Sequence, residues 1–182
     1  MNTSRWPVLV SSLACAIAMP SCGDPVHDAQ VNALGLETAG VAPGPLHRSG
    51  QPCLTCHGGD GPASAVFSIA GTIFKTADAR EGIAGVTVTV SDSTASGAIS
   101  KRTTTNAAGN FFFGTDFTPV FPLHDIQLDY PSLPSPQTMH TRVGRDGSCG
   151  TCHFDATDGS GRRDSPGHVY LVLEAGDLQE GP

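Results

Sequence analysis

The feature that most restricts how this 182-residue chain can fold is a pentapeptide that occurs twice, as CLTCH at residues 53–57 (the first motif) and CGTCH at residues 149–153 (the second motif). Each copy separates two thiols by two residues and follows the second thiol directly with an imidazole. This spacing lets both sulfurs reach one edge of a flat ligand while the histidine turns beneath it. Any fold must present these three groups together at both positions.

The pentapeptide matches the attachment signature of c-type haem, in which the thiols form thioethers to the porphyrin and the histidine ligates the iron. The sequence therefore predicts two covalently bound haem c groups. Their predicted attachment residues and proximal ligands are Cys53, Cys56 and His57 for one haem, and Cys149, Cys152 and His153 for the other. A disulfide or half of a zinc site would also use a Cys-x-x-Cys pair. Neither explains the histidine that follows both pairs.

The sixth ligand of each iron is left open by the two motifs. The candidate distal ligands are His47, His140 and His168. His47 and His140 each stand shortly before a motif, and His168 begins a β-rich segment after a Pro-Gly pair. The sequence does not decide which histidine would serve which iron.

Glycine and proline together make up about a fifth of the chain, which favours short strands and loops over long helices. Alternating apolar and hydroxyl side chains over residues 85–90 are typical of a half-buried strand. The turn-forming residues 106–109 predict a β-hairpin between their flanking segments. Further strand candidates are residues 66–74, 101–105, 110–113, 126–130 and 168–173. This pattern predicts a mainly β fold, an antiparallel sandwich with loop-rich haem-binding segments.

Three short motifs in the strand-rich region stand in a recognisable order. They are Gly71-x-Ile73, then Gly85-Val86-x-Val88-x-Val90, then Thr103-Thr104-Thr105 through Gly109-Asn110-Phe111. Over roughly residues 66–130 this order resembles the carboxypeptidase regulatory-like family of transthyretin-like β-sandwiches. The resemblance implies an Ig-like or transthyretin-like antiparallel sandwich, a structural module without catalytic machinery. Function would then come from groups mounted on the sandwich.

The first residues of the chain are typical of an export signal, with Arg5 followed by an apolar stretch over residues 6–19. The sequence around Cys22 resembles a bacterial lipoprotein cleavage site, which implies a lipid anchor on Cys22. The alternative is an ordinary signal peptide cut nearby, with Cys22 a spare thiol. We expect an exported protein in the periplasm or at the cell surface, where bacterial c-type haem is attached.

The predicted organisation has six parts. They are a signal peptide (1–21), a tether (22–45), a first haem-binding segment (46–65), the β-sandwich (66–130), a second haem-binding loop (131–165), and a closing strand and tail (166–182). Three prolines between residues 131 and 136 exclude a continuous helix at the start of the second loop.

Charge and motif content narrow the function further. The formal net charge is −7 and lysine is nearly absent, so the chain lacks the basic surface that nucleic-acid binding requires. The sequence contains no Ser-His-Asp pattern, phosphate loop or paired catalytic carboxylates, and we assign no catalytic residue. It favours an exported dihaem c-type cytochrome that transfers electrons to redox partner proteins of the cell envelope. The alternatives are an extracellular scaffold or adhesion module whose cysteine pairs form disulfides or bind zinc, and a haem peroxidase-type oxidoreductase.

Overall fold

The chain folds mainly into β-structure, with two antiparallel sheets and a few short helices. The computed structural model describes residues 23–37, 39–92, 99–155 and 163–171. The elements are α1 (Pro25–Ala33), α2 (Leu54–His57), β1 (Phe67–Thr72), β2 (Thr87–Ser91), β3 (Ser100–Thr104), β4 (Asn110–Gly114), β5 (Asp125–Asp129), β6 (Gln137–Thr138) and a 3-10 helix (Cys149–Thr151). Within the described ranges, no helix has the length and apolar character needed to cross a membrane.

The two sheets form a sandwich around one hydrophobic core. Four strands are ordered β3-β2-β5-β6, and β1 pairs with β4 in the second sheet. Val88 and Val90 of β2 are fully buried, whereas the hydroxyl residues between and beside them are half-buried, which confirms the predicted alternation. Both sheets and the loops between them supply the core, which includes Ile69, Ile73, Val86, Val88, Val90, Phe111, Phe113, Leu123, Leu128 and Leu171.

The predicted hairpin between β3 and β4 is wrong. Residues 106–109 do turn, with Gly109 at a φ of +74° and the Asn106 side chain accepting the N–H groups of Ala108 and Asn110. However, β3 lies in the four-stranded sheet, and β4 pairs antiparallel with β1. The turn therefore carries the chain from one sheet to the other, so that Phe111 reaches the core from the side opposite β2.

The predicted closing strand over residues 168–173 is wrong for its described part. Tyr170 makes a single parallel bridge with Phe74, and the Phe74 N–H donates to the carbonyl of Val169 at 2.8 Å. Leu171 is buried in the core as a strand residue would be. Residues 172 and 173 lie outside the described part of the chain. The described part of the segment thus contacts the sandwich through one bridge and the apolar side chains of Val169 and Leu171.

Four short elements are not predicted by the sequence: α1, α2, β6 and the 3-10 helix. The predicted tether contains α1, whose N-terminus is capped by the Asp24 carboxylate and begins with Pro25, a pairing typical of helix starts. Most of the first motif is helical in α2, and β6 adds an edge strand from within the predicted second haem-binding loop. Residues 1–21 and Cys22 lie outside the described residues, so export and lipidation stay predictions.

Candidate functional site

The two motifs, far apart in sequence, lie next to each other in the structure. The N–H of Leu54 in the first motif donates to the hydroxyl of Ser148 at 3.4 Å. A Cβ atom placed on Gly150 of the second motif would lie 2.6 Å from the carbonyl oxygen of Gln51. The second motif therefore packs against the backbone that leads into the first, a juxtaposition that the sequence left open.

Strand β1 provides the surface on which the second motif sits. The N–H of Ala70 donates to the Gly147 carbonyl at 3.0 Å, and Ala70 forms a parallel bridge with Ser148. A Cβ atom on Gly71 would lie 2.7 Å from the Cβ atom of Cys149. A glycine inside a strand often marks a close approach of this kind. Gly71 thus lets the second motif approach β1 closely, a role that the family pattern alone does not reveal.

The two motif histidines share the same hydrogen-bond arrangement. Nδ1 of His57 lies 2.8 Å from the carbonyl oxygen of Ala65, and Nδ1 of His153 lies 3.0 Å from that of Gly167. Because a carbonyl oxygen can only accept, the proton of each neutral imidazole is on Nδ1, and Nε2 keeps its lone pair. Metal-binding histidines are typically oriented in this way. Both imidazoles are therefore prepared to bind a metal through Nε2.

The first thiols of the two motifs are neighbours in an environment that disfavours the thiolate. Burial raises the pKa of Cys53 to about 11 and, with a contribution from the nearby Cys53 sulfur, raises the pKa of Cys149 to about 12. The Cys53 thiol also donates to the Gln51 carbonyl at 3.4 Å. All four motif cysteines, Cys53, Cys56, Cys149 and Cys152, are free. In this state Cys53 and Cys149 are protonated at neutral pH.

A cavity of about 890 Å³ opens beside the first motif. Its volume falls within the range of roughly 300–1,000 Å³ that is typical of cofactor pockets. Cys53, Cys56 and His57 line one part of the wall, with His47 also in the lining. Apolar residues that also line it are Val31, Leu34, Ala65, Phe67 and Phe112. The residues present therefore fit a large, flat, mostly apolar group attached at the first motif.

Aromatic stacking connects the first motif to the sheet. The His57 ring stacks on Phe67 with centroids 4.4 Å apart and planes 15° apart, and Phe67 stacks on Phe112 at 4.5 Å and 16°. Phe112 is the exposed ring of the Phe111–Phe113 run. The stack restricts rotation of the His57 ring in addition to its hydrogen bond.

Asn110 of β4 ties the segment before the first motif to the sandwich. Its side-chain amide donates to the carbonyls of Pro45 and His47 at 3.2 and 2.9 Å. Its side-chain oxygen accepts from the Thr72 hydroxyl at 2.7 Å, and that hydroxyl accepts from the Gly50 N–H at 2.8 Å. The loop that carries His47 is therefore held by a polar network on the β1–β4 sheet.

Replacing Asn110 with alanine is expected to lower the free energy of unfolding by about 2–4 kcal/mol, because the Pro45 and His47 carbonyls lose a donor and the Thr72 hydroxyl loses its acceptor. Urea denaturation of the haem-free protein measures the change. Asn32→Ala, an exposed site on α1, is the matched control and is expected to shift stability by less than about 0.5 kcal/mol. Equal effects of the two substitutions would show that the network does not hold the loop.

The other two candidate distal ligands lie elsewhere. His168 stacks on Phe74 with centroids 4.0 Å apart, and its Nδ1 atom is buried without a hydrogen-bond partner. His140 is exposed and follows β6 at the edge of the four-stranded sheet. Distal roles for His140 and His168 stay predictions. In the described part of the chain, no three His, Cys, Asp or Glu residues are grouped as a metal ion held by protein alone would require.

No family model, curated protein or solved structure matches this chain. The structure itself establishes the mainly β, two-sheet architecture. The resemblance to carboxypeptidase regulatory-like sandwiches and to c-type cytochromes is carried by sequence motifs, and it stays a prediction.

Proposed function

We propose that this protein is an exported dihaem c-type cytochrome that carries electrons at the cell envelope. The observation that supports this most is the shared arrangement of His57 and His153, each with Nδ1 held by a backbone carbonyl and Nε2 left to bind. A scaffold whose cysteines form disulfides would not require an oriented imidazole at either motif. Two loops of different length thus orient the two histidines for the same task.

The chain supplies the attachment groups for two haems and, beside the first motif, a cavity for one of them. Cys53, Cys56 and His57 would hold one, next to the cavity beside the first motif, and Cys149, Cys152 and His153 would hold the other. When bound, haem supplies an iron that cycles between the ferric and ferrous states. The stack on Phe67 and the carbonyl of Ala65 fix the His57 ring. We include in this proposal a lipid anchor on Cys22.

The partners would be redox proteins of the envelope. The net charge of −7 favours partners with a basic docking surface, because complementary charge speeds association. The sandwich contributes a rigid support for the two motifs and, on this proposal, no catalysis.

Expression with a cytochrome c maturation system tests the proposal. Intact mass and a pyridine haemochrome spectrum are expected to show two covalent haems on the unaltered chain. Cys149→Ser/Cys152→Ser is expected to remove one of them, and Cys53→Ser/Cys56→Ser the other. Cys22→Ser is the control and is expected to keep both haems. A chain that exports and folds without covalent haem, with its cysteine pairs oxidised or binding zinc, would favour the scaffold instead.

A further inference from the structure

We propose that His47 is the second protein ligand of the iron at the first motif, so that His47 and His57 form a bis-histidine pair. This inference rests on the proposed function, since it requires haem attached at Cys53 and Cys56. It selects one distal ligand from the three candidates that the sequence left open, and it makes this iron six-coordinate.

The rings of His47 and His57 lie close enough to share one metal ion. The centroids of His47 and His57 are 5.8 Å apart and their planes are inclined by 52°. Two imidazoles that bind one metal ion on opposite sides, with metal–nitrogen distances of about 2.0–2.1 Å, have centroids about 6 Å apart. Both rings also line the cavity beside the first motif. Their separation therefore suits a shared iron.

The surroundings of the His47 ring leave Nε2 available to bind a metal. Nδ1 lies 3.6 Å from a carboxylate oxygen of Glu37, shielded from solvent and without a hydrogen-bond partner. The same carboxylate oxygen accepts from Nε of Arg48 at 2.9 Å, which holds Glu37 in place. A carboxylate beside Nδ1 favours the tautomer with its proton on Nδ1, so Nε2 can bind the metal. Carboxylates play this role behind many metal-binding histidines.

Hydrogen bonds within the protein fix the backbone of His47 before any ligand binds. Its N–H donates to the Gly44 carbonyl at 3.2 Å, and its carbonyl accepts from the Asn110 side chain at 2.9 Å. The Arg48 guanidinium next to it donates to the Leu34 and Gly35 carbonyls at 3.2 and 2.7 Å. The site is therefore preorganised on both sides of His47.

The competing histidines are placed less favourably for this iron. Neither His140 nor His168 is among the residues that line the cavity beside the first motif. His168 has its ring against Phe74, and His140 is exposed after β6. Among the three candidates, His47 alone shares the cavity with His57.

The test compares His47→Ala with His140→Ala in the full chain carrying both haems. We expect His47→Ala to make one haem per chain high-spin, to raise the number of CO molecules bound per ferrous chain by one, and to regain a low-spin spectrum with added imidazole. His140→Ala is expected to leave the first haem unchanged. A His47→Ala protein that keeps both haems and the original spectrum and CO stoichiometry would overturn the inference.

A second variant covers the case in which His47→Ala fails to fold or to bind haem. His47→Met retains a ligating side chain and is expected to keep a low-spin spectrum with a new sulfur-to-iron charge-transfer band and a raised potential at one haem. An unchanged spectrum in this variant contradicts the inference. The absence of covalent haem from the unaltered chain instead refutes the proposed function, so the two failures are distinguishable by intact mass.

Discussion

Replacing Gly150 with valine is expected to move the two motifs apart and to weaken the electronic coupling that we expect between the two proposed haems. A Cβ atom on Gly150 would lie 2.6 Å from the Gln51 carbonyl oxygen and 3.0 Å from that of Gly50. These are backbone atoms, and neighbouring hydrogen bonds to Ser148 and Thr72 hold the same segments, so they cannot turn aside as a side-chain end would. We expect a loss of about 1–3 kcal/mol in the free energy of unfolding, as for other overpacked sites.

Exciton splitting in Soret circular dichroism reports the coupling, and denaturant unfolding reports the stability. Gly144→Val is the matched control, because no atom lies within 4 Å of a Cβ placed on Gly144. The control is expected to retain both the coupling and the unfolding midpoint. A Gly150→Val protein that also retains both would show that Gly150 is not packed against the backbone of Gly50 and Gln51.

The motif contact matters for the proposed function because it places the two attachment sites side by side. Electrons are then expected to exchange within the chain as well as with partner proteins. A redox titration that resolves two steps in the unaltered chain, and steps closer together in Gly150→Val, is the result that this arrangement predicts. In this way one glycine would determine whether the haems act as a pair.

Local patterns in the sequence are sufficient to predict five of the six strands, β1 to β5. The alternation in β2 is a property of neighbouring residues. It places Val88 and Val90 in the core and leaves Thr87 and Thr89 half-buried on the other face of the strand. The exposed Phe112 between two buried rings follows from the same period of two. This alternation of buried and exposed side chains does not depend on the partner strand, so it can be predicted from the sequence alone.

The pairing of the strands and the placement of the two motifs cannot be predicted in this way, because both depend on residues that are distant in the sequence. The turn at residues 106–109 has the composition of a hairpin, yet β4 pairs with β1, since its buried phenylalanines pack from the sheet opposite β2. The roles of Gly71 and Gly150 depend on what lies against them. The carbonyls that hold His57 and His153 belong to Ala65 and Gly167, positions set by the loop course.

The haem-free protein is expected to lose stability as the pH rises above about 9. Cys53 and Cys149 have pKa values of about 11 and about 12 in the folded chain, against 9.0 as their ordinary value. Between these values an unfolded chain releases both protons while the folded chain keeps them, so the folded state binds more protons. The free energy of unfolding therefore falls with rising pH, by up to about 1.4 kcal/mol per pH unit for each thiol. Below about pH 9 the two thiols are protonated in both the folded and the unfolded chain, so they do not make the free energy of unfolding depend on pH.

Denaturant unfolding at about pH 8 and about pH 10.5 measures this slope. Cys53→Ala/Cys149→Ala is expected to flatten it relative to Cys56→Ala/Cys152→Ala, because it removes the two thiols whose pKa values burial raises. Equal slopes in the two variants would show that burial does not raise the pKa values of Cys53 and Cys149. The haem-loaded protein provides an independent check, because a thioether sulfur carries no ionisable proton. Its stability is expected to lack the thiol contribution to the slope, which links the alkaline behaviour of the chain directly to haem attachment.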